Sequence, residues 1–342
     1  MMDMPTAIAK VIDGGSLSKG EMNTVMRLIM TGEATDAQIG GFLIGLRLKG
    51  ESVNEIVGAA EVMRELATQV KVNAAGLVDT CGTGGSGVNK FNVSTASAFV
   101  AAAAGVRVAK HGNRAASSKS GSADLLEAAG ANIMLAPDHV ARCIDLVGVG
   151  FLFALNHHAA MKHAIGPRRE MTVRTVFNVL GPLTNPAGAK RQLMGVYDRA
   201  LVRPVAEVLQ ALGSEHVMVV HSADGLDEIS IAAETAVAEL KEGQIAEYVI
   251  APEDFLLKRG ALDELKVDSA AESLVMVKAA LKGEIEPASD MVAMNAGAAI
   301  YVSGQAIDLV SGVSMAQDAI GSGLATEKLK EFVDFTVQLG DG

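Results

Sequence analysis

Residues 77–87 read Leu77-Val78-Asp79-Thr80-Cys81-Gly82-Thr83-Gly84-Gly85-Ser86-Gly87, so a short apolar run passes directly into a glycine-rich loop. The pattern predicts a buried strand, then the loop, then a helix over residues 95–104. Glycines allow backbone amides to approach an anion closely, and the following helix directs its positive N-terminal end toward the same point. This stretch therefore predicts a phosphate site in an α/β fold.

The same alternation of apolar runs and helical stretches continues from residue 73 onward. Helical patterns, such as the one at residues 202–212, separate the apolar runs. Buried strands are predicted at residues 77–78, 106–109, 147–155, 193–197, 217–221 and 248–250. Strands that alternate with helices predict an α/β domain with a mainly parallel central sheet over residues 73–342.

Residues 1–72 have a different pattern, which is typical of a small helical domain. A Ser or Thr is followed three positions later by a Glu or Gln at three places, which is the pattern of a helix-capping box. The pairs are Ser18 with Glu21, Thr35 with Gln38, and Ser52 with Glu55. A small bundle can cover its apolar surface against a second copy, giving a homodimer, or against its own larger domain, and both interpretations are open. Prolines near residue 182 favour a crossing back to this domain by part of 166–192.

Composition restricts the location and the ligand. The chain has 342 residues, of which 49% are hydrophobic and 20% charged, and only two cysteines, which predicts a globular protein of a reducing compartment. Its longest apolar run, residues 98–106, is far shorter than the roughly 20 residues of a membrane span. We therefore predict a cytoplasmic protein without a membrane segment. A net charge of −11 disfavours nucleic acid and favours a small anionic ligand bound at a local basic patch.

Charge is distributed unevenly along the chain. Residues 80–123 contain no acidic side chain but five cations, Lys90, Arg107, Lys110, Arg114 and Lys119. The glycine loop matches the dinucleotide pattern G-x-G-x-x-G, but that pattern requires an acidic residue about twenty positions later, and none is present. No Gly-Lys-Ser/Thr follows, which excludes a Walker-type loop.

Two further elements complete the predicted site. Residues 110–122 contain two glycines, four serines and several cations, which together suit a diphosphate better than a single phosphate. Asp227-Glu228 follows the strand predicted at residues 217–221, and Mg²⁺ takes one or two carboxylates together with water and phosphate oxygens. By itself an Asp-Glu pair is more often a surface feature, so the two anion loops carry the metal prediction.

Five segments together resemble the anthranilate phosphoribosyltransferase family, and the resemblance covers nearly the whole chain. They are Gly82-Thr83-Gly84-Gly85, Asn92-Val93-Ser94-Thr95, residues 110–122, residues 174–186, and Gly225-Leu226-Asp227-Glu228. The resemblance implies a homodimer formed through the small helical domain. It also implies Mg²⁺-dependent transfer of phosphoribosyl from 5-phosphoribosyl-1-pyrophosphate (PRPP) to anthranilate in tryptophan biosynthesis.

The resemblance also implies site residues, though no certain catalytic acid or base. PRPP contacts are implied at Gly82, Gly85, Ser86, Lys90, Asn92, Val93, Ser94, Thr95, Lys110, His111, Gly112, Asn113, Arg114, Ala115, Ala116, Ser117, Ser118 and Ser122. Anthranilate contacts are implied at Gly82, Asn113, His158 and Arg168, and Mg²⁺ ligands at Ser94, Asp227 and Glu228.

The chain departs from the family pattern near the loop. Ser86 stands where the family usually has Asp, and Lys90 where it has a small hydroxyl residue, so the loop is more positive and the number of metal ions is open. The acceptor end has His158-Ala159 in place of His-Pro.

Two alternatives share the architecture. Pyrimidine nucleoside phosphorylases carry Lys-His-Ser-Thr-Gly-Gly, which this chain lacks, and a non-enzymatic nucleic-acid-binding relative is disfavoured by the charge of −11.

Overall fold

The computed structural model describes residues 2–72, 75–85, 87–115 and 119–340. The N-terminal part is a bundle of α1 Met4–Ile12, α2 Lys19–Met30, α3 Asp36–Lys49 and α4 Val53–Leu66. The three predicted helix starts are confirmed, because Ser18, Thr35 and Ser52 each form a complete capping box. Helix α1 was not predicted, and it begins where Asp3 accepts a hydrogen bond from the Thr6 amide.

The remainder of the chain forms one sheet with helices on both faces. The strands are β1 Val78–Asp79, β2 Val108–Gly112, β3 Val149–Phe153, β4 Arg191–Gly195, β5 His216–Ser222, β6 Thr235–Lys241 and β7 Gln244–Ile250. The helices are α5 Val93–Ala103, α6 Ser122–Ala128, α7 Pro137–Arg142, α8 Ala154–His157, α9 Lys162–Met171, α10 Phe177–Leu180, α11 Val202–Ala211, α12 Ala270–Leu281, α13 Glu286–Ser303, α14 Leu309–Gly321 and α15 Leu324–Gly340. No helix among the described residues is long and apolar enough to cross a membrane.

The strand order is β3-β2-β1-β4-β5-β6-β7. Pairs from β3 through β5 are parallel, whereas β5, β6 and β7 pair antiparallel, so the predicted mainly parallel sheet is confirmed. Strands β2 and β3 lie on one side of β1, and β4 to β7 lie on its other side. Connections that leave neighbouring parallel strands in opposite directions open a crevice at the strands' carboxyl ends, here after β1 and β4.

Individual strand bounds differ from the prediction where apolar runs extend into helices. The run at residues 147–155 is a strand only over β3, because Cys143–Val147 is a π-helical turn and α8 begins at Ala154. Strand β6 was missed, and β7 begins four residues before the predicted 248–250. Apolar runs alone do not distinguish a strand from a buried helical turn.

Two hydrophobic clusters cover the two faces of the sheet. Along β5, Met218 and Val220 belong to the cluster that contains α5, α13 and α15, whereas Val217 and Val219 belong to the other. This alternation is the two-residue period of a strand that is buried on both faces. The second cluster is continuous with the core of the helical bundle through α11, so much of the bundle's apolar surface is covered by the larger domain of the same chain.

Helix α9 and the residues between it and β4 also pack with the helical bundle. Ala164, Phe177 and Leu180 are buried in the bundle's cluster, and Arg64 Nε of α4 donates to the Leu183 carbonyl at 2.7 Å. These contacts fall within 166–192 or close to it, the segment for which a crossing was predicted. The division at 72/73 stays a prediction.

Glu55 connects two parts of the helical bundle. Its carboxylate is fully buried and accepts hydrogen bonds from the Leu17 amide at 2.8 Å, the Ser52 amide at 2.7 Å and Lys49 Nζ at 2.8 Å. Burial raises the pKa of Glu55, but these donors outweigh it and the net pKa is lowered. The carboxylate is thus a charged group that the fold stabilises.

Glu55→Gln is expected to lower the free energy of unfolding by about 3 kcal/mol at pH 7, because the buried Lys49 ammonium loses its counter-charge. A carboxyl with a depressed folded-state pKa stabilises the protein above its unfolded pKa and loses that contribution as the pH falls through the folded value. Urea denaturation should therefore show the difference between variant and wild type shrinking as the pH falls below the unfolded-state pKa of glutamate, about 4.3. Glu61→Gln, on the more exposed face of α4, should show a much smaller loss, and equal losses would contradict the role of Glu55.

Candidate active site

A cavity of about 580 Å³ opens in the crevice after β1 and β4. Its walls come from the glycine loop after β1, the start of α5, the loop after β2, the end of α9, and residues 227–228 after β5. The predicted site residues that line it are Gly82, Gly85, Lys90, Asn92, Ser94, Thr95, Lys110, His111, Gly112, Asn113, Arg114, Ala115, Ser122, Arg168, Asp227 and Glu228. Segments that lie far apart in the sequence thus meet around one space.

The remaining predicted residues fall into two groups. Val93 and His158 do not line the cavity: Val93 is fully buried in the core below α5, and the ring of His158 lies behind His111 at a centroid distance of 5.1 Å. The other four, Ser86, Ala116, Ser117 and Ser118, lie outside the described residues.

The glycine loop and the start of α5 form the anion end of the cavity. Gly84 and Gly85 have φ values of 66° and 79°, a conformation that favours glycine. Helix α5 begins at Val93 without a side-chain cap. Its first amides donate within the chain, that of Val93 to the Phe91 carbonyl at 2.8 Å and that of Ser94 to Glu228 Oε1 at 3.2 Å, so what α5 offers to an anion is the positive end of its dipole. An uncapped helix N-terminus beside glycine backbone is suited to phosphate oxygens.

Asn92 holds the start of α5 in place. Its Oδ1 accepts hydrogen bonds from Ser120 Oγ and Ser273 Oγ, both at 2.7 Å, and its Nδ2 donates to the Ser120 carbonyl at 3.2 Å. One side chain therefore fixes the α5 terminus to the loop after β2 and to α12. Asn92 therefore lines the cavity and also holds the start of α5 in its place beside the cavity.

Asp227 and Glu228 project into the cavity as a carboxylate pair. Asp227 Oδ2 accepts from the Gly84 amide at 2.8 Å, and Lys90 Nζ lies 3.1 Å from Asp227 Oδ1 and 3.2 Å from Glu228 Oε2. Burial raises the pKa of Glu228 to about 7, and the neighbouring Asp227 acts in the same direction. For Asp227, burial is outweighed by Lys90, and the pKa is lowered.

The oxygen donors of this pair fit Mg²⁺. Two carboxylates with the nearby hydroxyl of Ser94 form a set of hard oxygen ligands of the kind that Mg²⁺ uses beside phosphate. The ammonium of Lys90 lies between both carboxylates, so the fold has arranged this position for a cation.

Lys110 and Arg114 differ in their availability to a ligand. Lys110 is 4% exposed, and its Nζ lies 3.3 Å from the Thr80 carbonyl and 3.3 Å from Ser94 Oγ, at the floor of the anion end. Burial lowers the pKa of Lys110. Arg114 lines the cavity but pairs with Glu127 and Asp124 of α6, a pairing that the sequence did not indicate. Of the cations in the basic segment 110–122, Arg114 is thus already paired with carboxylates, whereas Lys110 is buried beside the cavity.

Asp79 positions the strand ends beneath the cavity. Its Oδ1 accepts from the His111 amide at 3.1 Å, and its Oδ2 from Asn185 Nδ2 at 2.8 Å, so β1 and β2 are joined to the segment before β4. His111 Nδ1 lies 3.1 Å from the Gly181 carbonyl and therefore carries the proton. Burial lowers the pKa of His111 to about 3 and that of His158 to about 4, so both rings are neutral at pH 7.

Arg168, in α9, lines the same cavity. Its guanidinium carbon lies 5.1 Å from the centre of the Phe177 ring, and no acidic side chain among the described residues pairs with it. Burial lowers the pKa of Arg168, but a guanidinium keeps its proton near neutral pH. A partly buried cation stacked on an aromatic ring is suited to a planar aromatic carboxylate.

Comparison with known proteins identifies the family. Residues 5–67 match the model described as glycosyl transferase family, helical bundle domain, and residues 74–326 match glycosyl transferase family, a/b domain. The anthranilate phosphoribosyltransferase of Marinomonas sp. (strain MWYL1) is 62% identical over 337 residues, which cover 98% of this chain and 97% of that protein. The chain belongs to the anthranilate phosphoribosyltransferase family.

Solved structures of the anthranilate phosphoribosyltransferase family have the same fold. The enzyme of Thermus thermophilus is 44% identical with a TM-score of 0.91, covering 96% of this chain and 99% of that one. The Saccharomyces cerevisiae enzyme, solved in complex with PRPP and Mg, is 26% identical with a TM-score of 0.88, covering 98% of each chain. The predicted fold class, a small helical domain with a larger α/β domain, is confirmed.

Some cavity residues were not assigned from the resemblance to the anthranilate phosphoribosyltransferase family. Arg174 Nη2 donates to the Gly85 carbonyl at 2.5 Å, and its guanidinium lies 4.5 Å from the centre of the Tyr197 ring. Asn178 also lines the cavity, and its side chain accepts from the Thr175 amide. Arg174 and Asn178 lie in the segment 174–186 that carried the resemblance. Their polar side chains within that segment were the sequence signal that could have identified them as site residues. Tyr197, at the end of a predicted strand, had no such signal.

Gly195 allows the carboxylate pair to reach the cavity. A Cβ atom at this position would lie 1.6 Å from the Asp227 carbonyl oxygen, so backbone crosses where any side chain would be. Gly195→Ala is expected to destabilise the protein by about 3 kcal/mol through overpacking and to displace Asp227. Urea denaturation and the reaction rate should both show the loss.

Gly20→Ala is the matched control for that change. Gly20 lies in α2, and no atom lies within 4 Å of the point that a Cβ would occupy there, so alanine should be neutral or stabilising by up to about 1 kcal/mol. A Gly195→Ala protein as stable as wild type would contradict the close approach of the two segments.

Proposed function

We propose that this protein transfers the phosphoribosyl group of PRPP to anthranilate, giving N-(5-phosphoribosyl)anthranilate and pyrophosphate, in tryptophan biosynthesis. One observation carries the proposal. A single cavity combines an anion site at a glycine loop and helix terminus, a carboxylate pair for a metal, and an arginine for a carboxylate. The relatives named above support the same reaction.

The anion end suits PRPP. The positive end of the α5 dipole, the glycine backbone at Gly85 and the ammonium of Lys110 offer positive charge and hydrogen-bond donors to the pyrophosphate and ribose phosphate groups. Negative charge nearby favours the protonated form of Lys110, opposing the effect of its burial. Asn113 and Ser122 extend this surface along the loop after β2.

Mg²⁺ is the cofactor that this site fits. Asp227, Glu228 and Ser94 would hold it, and the Saccharomyces cerevisiae relative was solved with PRPP and Mg. When bound, Mg²⁺ neutralises negative charge that develops on the departing pyrophosphate. The Gly84 and Ser94 amides orient the two carboxylates toward that position.

Arg168 suits the carboxylate of anthranilate, with Phe177 beside the aromatic ring. Asn113 lines the cavity and can contact either substrate. His158, which resemblance places at the acceptor, lies behind His111 and would act by holding that ring.

The reaction requires little acid-base chemistry from the protein. As the bond from C1 of ribose to pyrophosphate breaks, positive charge develops on the sugar and negative charge on the leaving group, which Lys110 stabilises. The aromatic amine is neutral at pH 7 and attacks C1 directly, and the nitrogen then releases a proton to water. Holding the amine in line supplies several kcal/mol. His111 offers a neutral ring nitrogen in the cavity wall, but its pKa of about 3 makes it a weak base, and we assign no general base.

Loss of anthranilate fluorescence in the presence of purified protein tests the proposal. We expect the signal to fall only when PRPP and Mg²⁺ are both present, and to stay at its starting level in EDTA-treated samples that lack added metal. An unchanged signal in a sample that binds PRPP by calorimetry would retain the phosphate half of the proposal and overturn the acceptor. Cleavage of uridine in the presence of phosphate tests the pyrimidine nucleoside phosphorylase alternative, and binding of a duplex DNA probe tests the nucleic-acid-binding alternative. No observation on the site favours either one.

We also propose a homodimer formed through the helical domain, in the cytoplasm. The side chains of Ile12 and Leu48 are 67% and 82% exposed, which leaves apolar surface on the bundle for a second copy. Cys81 and Cys143 are both free, as in proteins of a reducing compartment. Light scattering should give a dimer mass that Leu48→Glu lowers to a monomer, and cell fractionation should find the protein in the cytoplasm.

A further inference from the structure

Lys90 occupies the position between the two carboxylates proposed as metal ligands. Its Nζ lies 3.1 Å from Asp227 Oδ1 and 3.2 Å from Glu228 Oε2, and the three side chains are only 10–12% exposed. A side-chain ammonium this close to both oxygens neutralises one of two adjacent buried negative charges, as a bound cation would.

The backbone around Lys90 holds the ammonium in this position. Lys90 forms an isolated antiparallel bridge with Lys266, and the hydrogen bonds on either side are Phe91 N to Leu265 O and Val267 N to Asn89 O, both 3.1 Å. Phe91 is buried in the core directly after it. The backbone of Lys90 is therefore fixed by hydrogen bonds on both sides, which holds its side chain beside the carboxylates. This differs from a surface ion pair between two flexible side chains.

The carboxylates are fixed as well. The Gly84 amide holds Asp227 Oδ2 at 2.8 Å, and the Ser94 amide holds Glu228 Oε1 at 3.2 Å. The oxygens left for a cation, Asp227 Oδ1 and Glu228 Oε2, are the two that Lys90 faces. A divalent ion and the ammonium therefore require the same two oxygens, and two cations cannot share them without strong repulsion.

We propose that Lys90 is a resident cation that competes with the divalent metal for Asp227 and Glu228, so that the metal binds poorly until a polyphosphate ligand arrives with it. The inference rests on the proposed function, since it takes the pair as the metal site. Pyrophosphate supplies the negative charge that compensates both cations, and Lys90 already lines the cavity that would receive it. Lys90 is accordingly a residue that sets the order in which metal and substrate bind.

Binding of Mn²⁺ to the full-length protein, followed by electron paramagnetic resonance, tests the competition without measuring turnover. Without PRPP, we expect Lys90→Met to bind Mn²⁺ about tenfold or more tightly than wild type, because the competing charge is gone. Lys90→Gln keeps a polar side chain, serves as a second neutral variant, and should behave in the same way. The thermal midpoint of both variants should rise with added Mn²⁺ more than that of wild type.

Lys266→Met is the matched control. Lys266 lies opposite Lys90 in the bridge and carries the same charge, but its ammonium pairs with the exposed Asp263, so its removal should leave Mn²⁺ affinity at the wild-type value. Equal or weaker Mn²⁺ binding by both Lys90 variants, or tight binding by wild type without PRPP, would overturn the competition.

Addition of PRPP separates failure of this inference from failure of the proposed function. With PRPP present, wild type should bind Mn²⁺, and Asp227→Asn should abolish that binding. If this result holds while the Lys90 variants match wild type without PRPP, only the competition is overturned. If wild type binds no Mn²⁺ even with PRPP, the carboxylate pair is not the metal site, and the proposed metal assignment and this inference both fail.

Discussion

Replacement of Asp227 by asparagine is expected to lower kcat/KM for PRPP on the order of 1,000-fold, which equals about 4 kcal/mol of transition-state stabilisation. The substitution keeps the shape of the side chain, and the Gly84 amide can still donate to the amide oxygen. What it removes is one of the two anionic ligands of the metal. The fold should therefore persist while the chemistry is lost, and initial rates at varied PRPP and Mg²⁺ measure the effect.

Asp263→Asn is the control for this substitution. Asp263 is an exposed carboxylate paired with Lys266 outside the cavity, so the same chemical change there should leave the rate at the wild-type value. A rate for Asp227→Asn within about tenfold of wild type would be too small for loss of a metal ligand and would contradict the assignment.

Replacement of Arg168 by alanine is expected to lower kcat/KM for anthranilate about 100-fold, because a charge-assisted pair with the substrate carboxylate is lost. KM for PRPP should change little, since no hydrogen bond or ion pair among the described residues joins Arg168 to the glycine loop or the carboxylate pair. The residue also stacks on Phe177, so the variant loses both the ionic contact and part of the wall for an aromatic ring. Initial rates with each substrate varied in turn separate the two constants.

Two further variants strengthen the test of Arg168. Arg168→Lys keeps the charge but loses the planar fork, and it should recover only part of the lost kcat/KM. Arg169→Ala removes the exposed neighbouring guanidinium and should behave as wild type. Equal losses in Arg168→Ala for both substrates would show that the residue supports the whole cavity, which would contradict a specific role at the acceptor.

Helix starts and the anion loop were predictable because their signals are local. A capping box such as Ser52 with Glu55 is formed by residues three positions apart, and the glycine loop is read from one continuous stretch. Strand bounds were less predictable. In β6, the alternation includes Ala236 and Ala238, and alanine has a weak preference for strands, so the run did not stand out.

Most of the residues that the resemblance assigned to the site do line the cavity, but the resemblance left their mutual contacts undetermined. Val93 was expected in the site with its neighbours, yet its side chain faces the core, because successive residues at a helix start point in different directions. Arg114 lines the cavity, and its guanidinium also pairs with Glu127 of α6, which the resemblance did not indicate. Arg174 was quoted within a motif without a role, and it holds the glycine loop at Gly85.

The sequence by itself determined that this protein has a glycine-rich loop after a strand of an α/β scaffold, a helical N-terminal domain, and a basic segment in an acidic chain. Those properties follow from residue order and composition, which act over a few positions. Only the tertiary structure decided that Lys90 meets Asp227, 137 positions away, and that Gly195 leaves room for the Asp227 backbone. Such contacts depend on how the strands are ordered in the sheet, because strand order, and not distance along the chain, determines which loops meet at its edge.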